Sequence, residues 1–175
     1  GELNALVAIS DAGDYLHLLD AIGEEEFQWD LRVPMTRELD LYEIAERLGE
    51  KKVRVVLEPE ISLHPGTMRQ RNLPSELTRA GAKLVLVPRE DTIQDFKRWL
   101  PDTGLLIGAG LARDVALRAL TLEPAEMIGL GARLGSIEKG KDANLIFFEG
   151  DPFELSSRLE AVMFEGEFIY GGATE

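Results

Sequence analysis

The chain has 175 residues, 45% hydrophobic and 29% charged, enough for one ordinary globular domain with a real core, so disorder is not the default. Acidic residues outnumber basic ones by 32 to 19, a formal charge of −13, which repels phosphate backbones and anionic lipid and argues against nucleic acid or a membrane surface as partner. The absence of cysteine excludes disulfides, thiolate metal sites and cysteine nucleophiles, and no apolar run reaches the ~18 residues of a membrane helix.

Leu3 to Ile9 follows the first two residues directly and lacks the basic-then-apolar pattern of a signal peptide, so a soluble protein of undecided compartment is expected. Leu6 to Ile9 reads as a buried-type strand. Asp11 or Asp14 is placed to cap a helix through Tyr15, Leu16, Leu18, Leu19 and Ile22, ended by Gly23. Phe27 to Val33 alternates as a second strand. Pro34 breaks it, and a helix with Leu39, Ile44, Ala45 and Leu48 on one face runs to Gly49. Val53 to Leu57 is a third strand, ended by Glu58-Pro59-Glu60.

A long polar loop follows, carrying His64-Pro65-Gly66 and Arg69 to Asn72. Pro74 suits the first turn of a helix that Gly81 closes. Lys83 to Val87 is a fourth strand, and Asp91 to Leu100 a helix expected to turn Ile93, Phe96, Trp99 and Leu100 inward. Four strand–helix units in a row predict a parallel sheet or barrel segment. Beyond Gly110 come a helix over Ala112 to Leu120 and a short one from Pro124 to Gly129. Strands are then expected at Arg133 to Glu138, Asn144 to Phe148, Ala161 to Phe164 and Glu167 to Tyr170, with turns between them.

The run from Ala116 through Thr121, Pro124 and Gly129 to Leu130, followed by Arg133-Leu134-Gly135-Ser136-Ile137-Glu138-Lys139-Gly140-Lys141-Asp142-Ala143-Asn144-Leu145-Ile146, resembles a segment of metal-dependent amidohydrolases. Gly150-Asp151-Pro152 and Val162 to Gly166 are similar as well. The nearest likeness is to imidazolonepropionase-like and dipeptidase-like members. About fifty residues in order and spacing carry it, and the physical content of the stretch is structural, with glycines at turns and breaks between helices.

The resemblance implies an α/β fold: half of a (β/α)8 barrel, four strand–helix units over residues 1–110 matching the family's fifth to eighth strands, closing helices over 111–132, and strands of a small β-sandwich over 133–175. Members hydrolyse C–N bonds with metal-activated water. Their ligands are a His-x-His pair on the first strand, a His on the fifth, a His on the sixth and an Asp on the eighth. Here the fifth-strand position falls at or beside Ala8, the sixth strand offers Arg32 near its end, and the eighth reads Val87-Pro88-Arg89-Glu90. A one- or two-residue slip brings Glu90 or Asp91 forward as the acid but supplies no histidine, so no metal ligand and no cofactor is expected from this chain.

Only His17 and His64 exist; His17 lies in a helix pattern, and His64 sits in the loop beyond the third strand. The candidate ligand-binding residues at the strand ends are Ser10, Asp11, Arg32, Glu58, Glu60, His64 and Arg89, a ring suited to a small polar ligand or an oxygen-liking cation. No catalytic residue is assigned, and Ser10 lacks His–Asp support for a triad. The expected function is therefore a degenerate amidohydrolase-like module, structural or ligand-binding, within a larger hydrolase. The alternatives are a hydrolase whose metal site another segment or subunit completes, and a metal-independent enzyme using the strand-end carboxylates and His64. A half barrel also predicts two open edge strands and an uncovered apolar inner face, hence self-association or a missing N-terminal half as partner.

Overall fold

The computed structural model describes residues 4–23, 28–34, 40–64 and 66–172. Four short strands, β1 (Ala5–Ala8), β2 (Trp29–Arg32), β3 (Arg54–Leu57) and β6 (Lys83–Leu86), form one parallel sheet in the order β1-β2-β3-β6. Helix α1 (Ala12–Ile22) follows β1. A 3-10 turn (Leu41–Ile44) running into α2 (Ala45–Glu50) follows β2, and α3 (Leu73–Ala80) precedes β6. Helices α4 (Ile93–Gly108), α5 (Arg113–Leu120) and α6 (Leu122–Met127) lead to a three-stranded antiparallel sheet of β7 (Leu145–Glu149), β8 (Arg158–Phe164) and β9 (Glu167–Tyr170).

Local chemistry explains the element ends. The Asn72 side chain accepts a hydrogen bond from Ser75 N at 3.1 Å and caps α3, Pro74 sits in its first turn, and Gly81 closes it in the left-handed region at φ 104°. Side chains alternate along each strand. One face of the parallel sheet carries Val7, Leu31, Val55, Leu57, Leu84 and Leu86, which join Tyr15, Leu48, Leu77, Leu106, Ala116 and Ala119 of the helices in a single core. Burying each large side chain contributes about 1.5–3 kcal/mol, and this layer is the main stabilising one.

The structure corrects several expectations. β1 is only half covered: Leu6 is 53% exposed, so this is no buried strand. The inner face expected to be apolar instead carries Asp30, Arg32, Arg54, Glu58 and Lys83 around a small buried patch of Val56 and Val85. Its charges pair across strands, because Arg32 stands beside Val56 and the preceding alternate residues, Asp30 and Arg54, meet one register step away. Ile93 and Phe96 point outward on α4, 71% and 49% exposed, and the residues α4 buries are Thr103 and Leu106.

Arg133 to Glu138 forms successive turns, not a strand; Gly135 adopts φ 90°, and Lys141 Nζ donates to Gly131 O at 2.7 Å to hold them. The polar loop after β3 contains a small antiparallel arm, β4 (Ser62–Leu63) and β5 (Gln70–Arg71). Phe27 and Leu39, expected in the second strand and second helix, lie outside the described residues.

Candidate functional site

All four parallel strands finish on one side, where Ser10 and Asp11, Arg32, Glu58 and Glu60, and Arg89 follow β1, β2, β3 and β6. Crevices outside the carboxyl ends of parallel strands are where such sheets bind ligands, because several loops converge there.

Ser10 and Asp11 are committed to the start of α1. Asp11 Oδ1 accepts from Asp14 N at 2.8 Å, and Ser10 N donates to Asp14 Oδ2 at 2.8 Å. Asp40 adds a third carboxylate, accepting from Ala12 N at 2.9 Å. Carboxylates at a helix N-terminus satisfy its free N–H groups and its positive dipole end, so this is capping chemistry.

Arg32 and Glu58 form an ion pair across the strand ends, and Arg32 also donates to the carbonyls of Val33 at 3.0 Å and Val56 at 3.3 Å. Glu58 is 6% exposed. Arg89 pairs with Glu60 nearer to solvent. Glu58, Glu60 and Arg89 form one wall of a groove of about 390 Å³, with Pro59, Ile61 and Pro88. The facing wall is α4, contributing Asp95, Arg98, Trp99, Asp102 and Leu105. Arg98 Nε lies 3.4 Å from Asp102, and the buried indole Nε1 of Trp99 has no hydrogen-bond partner in the structure.

His64 stands apart from this groove. Its ring lies 5.3 Å from that of Tyr42, whose face is covered by the Arg71 guanidinium at 3.9 Å, and Arg71 is held in turn by Glu76, with Nε donating at 2.9 Å. The structure therefore brings Glu58, Glu60 and Arg89 together, adds Arg32 through Glu58, and leaves Ser10, Asp11 and His64 elsewhere. The α4 wall was missed from sequence; its signal was the row Asp95, Trp99, Asp102 at helical spacing, of which only Trp99 was singled out, as an inward-facing residue. The lining contains no Ser, Thr, Cys, Lys or His, so the groove offers carboxylates, guanidinium groups and an indole, without a nucleophile-and-base pair.

A second charged cluster, also missed, lies at the opposite end of the sheet. Arg54 bonds Asp30 at 3.3 Å and lies 3.5 Å from Glu123 of α6; Lys83 reaches Glu126 at 3.1 Å, and Arg118 reaches Glu123 at 2.8 Å. The hydrogen bond from Lys83 holds the Glu126 carboxyl below its ordinary range, and the charges of Lys83, Arg54 and Arg118 act in the same direction. Cross-strand neighbours some 24 residues apart give no local sequence signal beyond charged residues alternating with apolar ones in β2.

Residues 108–169 match the family model described as Amidohydrolase family. An amidohydrolase from Thermotoga maritima MSB8 superposes with TM-score 0.77 and 26% identity, covering 97% of this chain and 44% of that one. The C-terminal third of the chain is therefore similar to the amidohydrolase family, and the described fold to that of a solved amidohydrolase. The amidohydrolase tasK of Hapsidospora irregularis is 35% identical over 57 residues, which are 33% of this chain and 6% of that protein. A prolidase solved with N-methylphosphonate-L-proline shares the fold at TM-score 0.68 and 16% identity, covering 95% of this chain and 45% of its own. The chain thus spans less than half the length of these solved relatives.

The family implies a divalent metal, and the described residues do not fit one. The positions that the resemblance assigns to its fifth-, sixth- and eighth-strand ligands carry a methyl group at Ala8 and guanidinium groups at Arg32 and Arg89. Among the described residues no group of three or more His, Asp or Glu side chains is arranged around a common point where a cation could sit. Among the described residues, too, no helix is long and apolar enough to cross a membrane.

Proposed function

We propose that this chain is a degenerate hydrolase module: half of a (β/α)8-type barrel with strands of a β-sandwich after it, whose strand-end site supports structure or small-ligand binding within a larger hydrolase. The observation that carries the reading is the Arg32–Glu58 ion pair. A guanidinium locked to a buried carboxylate and two backbone carbonyls occupies the strand end where the family would offer an imidazole to a metal, and a fixed positive charge there opposes any cation. Ala8 beside it, in register with Arg32, adds no donor.

The groove against α4 is the part suited to a small polar ligand, through its carboxylates, Arg89, Arg98 and Trp99. Its volume falls in the range of small-molecule sites, about 300–1,000 Å³. A second reading, in which another segment or subunit completes a working metal site, is favoured by the short span of the chain against its solved relatives. Either way the open edges of the four-stranded sheet need partners, whether a second copy or the other half of a barrel.

Elemental analysis of protein purified without chelator, with turnover of N-acyl amino acids, dipeptides and lactams with and without added zinc or manganese, tests the proposal. The expected result is sub-stoichiometric metal and no metal-dependent turnover. Near-stoichiometric metal with chelator-sensitive hydrolysis would overturn it in favour of an active site built from other residues.

A further inference from the structure

A second pocket, of about 530 Å³, opens at the N-terminal end of the parallel sheet, opposite the groove described above. Asn4, Gln28 and Trp29 line one side, and Lys51, Lys52 and Lys83 the other, with Asp30 and Arg54 at the base. In a chain of net charge −13, four of the 19 basic residues line this one pocket.

The cations differ in what they are already doing. Arg54 and Lys83 are engaged by Asp30, Glu123 and Glu126. Lys51 and Lys52 are exposed and make no ion pair with any described residue. Arg54, only 9% exposed, keeps its Nε without a hydrogen-bond partner.

Lys52 also occupies a costly backbone position. It follows α2 in the left-handed region at φ 51°, with Lys52 N donating to Gly49 O and Val53 N to Leu48 O, both at 2.9 Å. That paired closure of a helix is where glycine is the usual residue. An ammonium is therefore carried at a place where backbone preference alone selects against any side chain.

We propose that this pocket binds a small phosphate-bearing molecule. The available charges are lysine ammonium groups, point charges suited to phosphate. The guanidinium fork that recognises planar carboxylates is already filled at Arg54 by Asp30 and the α6 acids. Asn4 and Gln28 offer amide donors, and the half-buried Trp29 ring offers a flat wall to the rest of the ligand. The site is independent of the strand-end groove and of whether that groove binds anything.

The two tryptophans supply the assay, since Trp29 lines this pocket and Trp99 the groove. In a Trp99→Phe background, Trp29 fluorescence is followed while pyrophosphate, inorganic phosphate or citrate is added at constant ionic strength. The expected result is a saturable change with pyrophosphate and phosphate, at least tenfold weaker in Lys51→Ala and in Lys52→Gly. The latter removes the ammonium while easing the backbone, so lost binding with unchanged or raised thermal stability separates charge from folding. No saturation below about 10 mM, a far weaker regime than specific recognition, would overturn the proposal. So would undiminished binding in both lysine variants, or citrate titrating as well as pyrophosphate.

Discussion

The guanidinium of Arg54, the first residue of β3, lies 3.5 Å from the carboxylate of Glu123 on α6, and so ties the sheet to the helix of the segment that carries the family likeness. Asp30 holds the other side of the same guanidinium. Both acids and the arginine are nearly buried, so removing the cation leaves Asp30 without its counter-charge and takes one of three nearby cations from Glu123, which keeps Arg118 and Lys83. Arg54→Met is expected to cost about 3 kcal/mol in urea denaturation, at the low end of the range for breaking a buried pair. A companion Arg54→Met/Asp30→Leu/Glu123→Leu variant, which removes all three charges, should regain much of that loss. A single-variant cost below about 1 kcal/mol would show the network to be idle.

Glu126 gives this cluster a pH signature. Its carboxyl is held below the ordinary 4.5 chiefly by the hydrogen bond from Lys83; burial opposes this, and the charges of Lys83, Arg54 and Arg118 add to the lowering. A carboxyl depressed by folding contributes stability that is complete above its unfolded value. That contribution fades as pH falls from about 4.5 through the lower folded value. The group is partly exposed, so the contribution is small, under about 1 kcal/mol. Glu126→Gln should therefore lower stability slightly at neutral pH and reduce the slope of stability against pH below 4.5. A variant whose acid limb matches the parent would remove Glu126 from the account.

At the strand ends, Arg32→Met removes the ion pair with Glu58 together with two bonds to backbone carbonyls. The expected loss is about 2 kcal/mol, since hydrogen bonds to charged groups are worth about 1.5–3 kcal/mol each when one partner is well buried and less where, as for Arg32, the other is partly solvated. Chemical denaturation at pH 7 measures it. Arg89→Met, whose pair with Glu60 is mostly exposed, should cost less than about 0.5 kcal/mol. Equal costs for the two would contradict the burial difference on which the comparison rests.

What could be read from the sequence divides along physical lines. Pro74 and Gly81 announce α3 because each has a local backbone reason, and the runs of apolar β-formers at Arg54–Leu57 and Lys83–Leu86 announce two adjacent strands. Arg133 to Glu138 misled because Leu134 and Ile137 mimic a strand, while the turns there depend on Gly135 and on Lys141 reaching back to Gly131. α4 misled because its first turns are exposed and its buried residues, Thr103 and Leu106, lie further on, so periodicity was right about helix and wrong about which residues are covered. The strand-end residues Glu58, Glu60 and Arg89 were legible because parallel topology fixes their place. The α4 wall and the Arg54 network required contacts between residues far apart in the chain.

Tyr15 is fully buried against Trp29, with ring centroids 6.1 Å apart, and its hydroxyl has no hydrogen-bond partner in the structure. Burial raises its pKa above 10.0, more than the nearby Arg47 lowers it. An unsatisfied buried hydroxyl costs about 1–3 kcal/mol, and phenylalanine keeps the ring while removing the burden. Tyr15→Phe is expected to be neutral to about 1 kcal/mol more stable by thermal or urea unfolding. A loss above about 1 kcal/mol would mean that the hydroxyl has an acceptor, and would direct attention to water.

The close approach of α2 and α3 rests on a missing side chain. A Cβ on Gly49 of α2 would stand 1.8 Å from the carbonyl oxygen of Ala80 in α3 and 2.4 Å from its carbon. Both atoms belong to backbone, so the clash cannot be relieved by a rotamer change; the two helices must part. Separation would loosen Leu48 and Leu77, both fully buried on those helices. Gly49→Ala is therefore expected to cost about 2–3 kcal/mol, the upper part of the usual range for overpacking, despite alanine's better helix propensity. Gly108 provides the contrast: it ends α4, and a Cβ there would meet nothing within 4 Å. Gly108→Ala should be neutral or gain about 0.5 kcal/mol from the reduced freedom of the unfolded chain. Urea midpoints for the pair decide the matter, because propensity alone predicts the same sign at both positions and the Ala80 carbonyl predicts opposite ones.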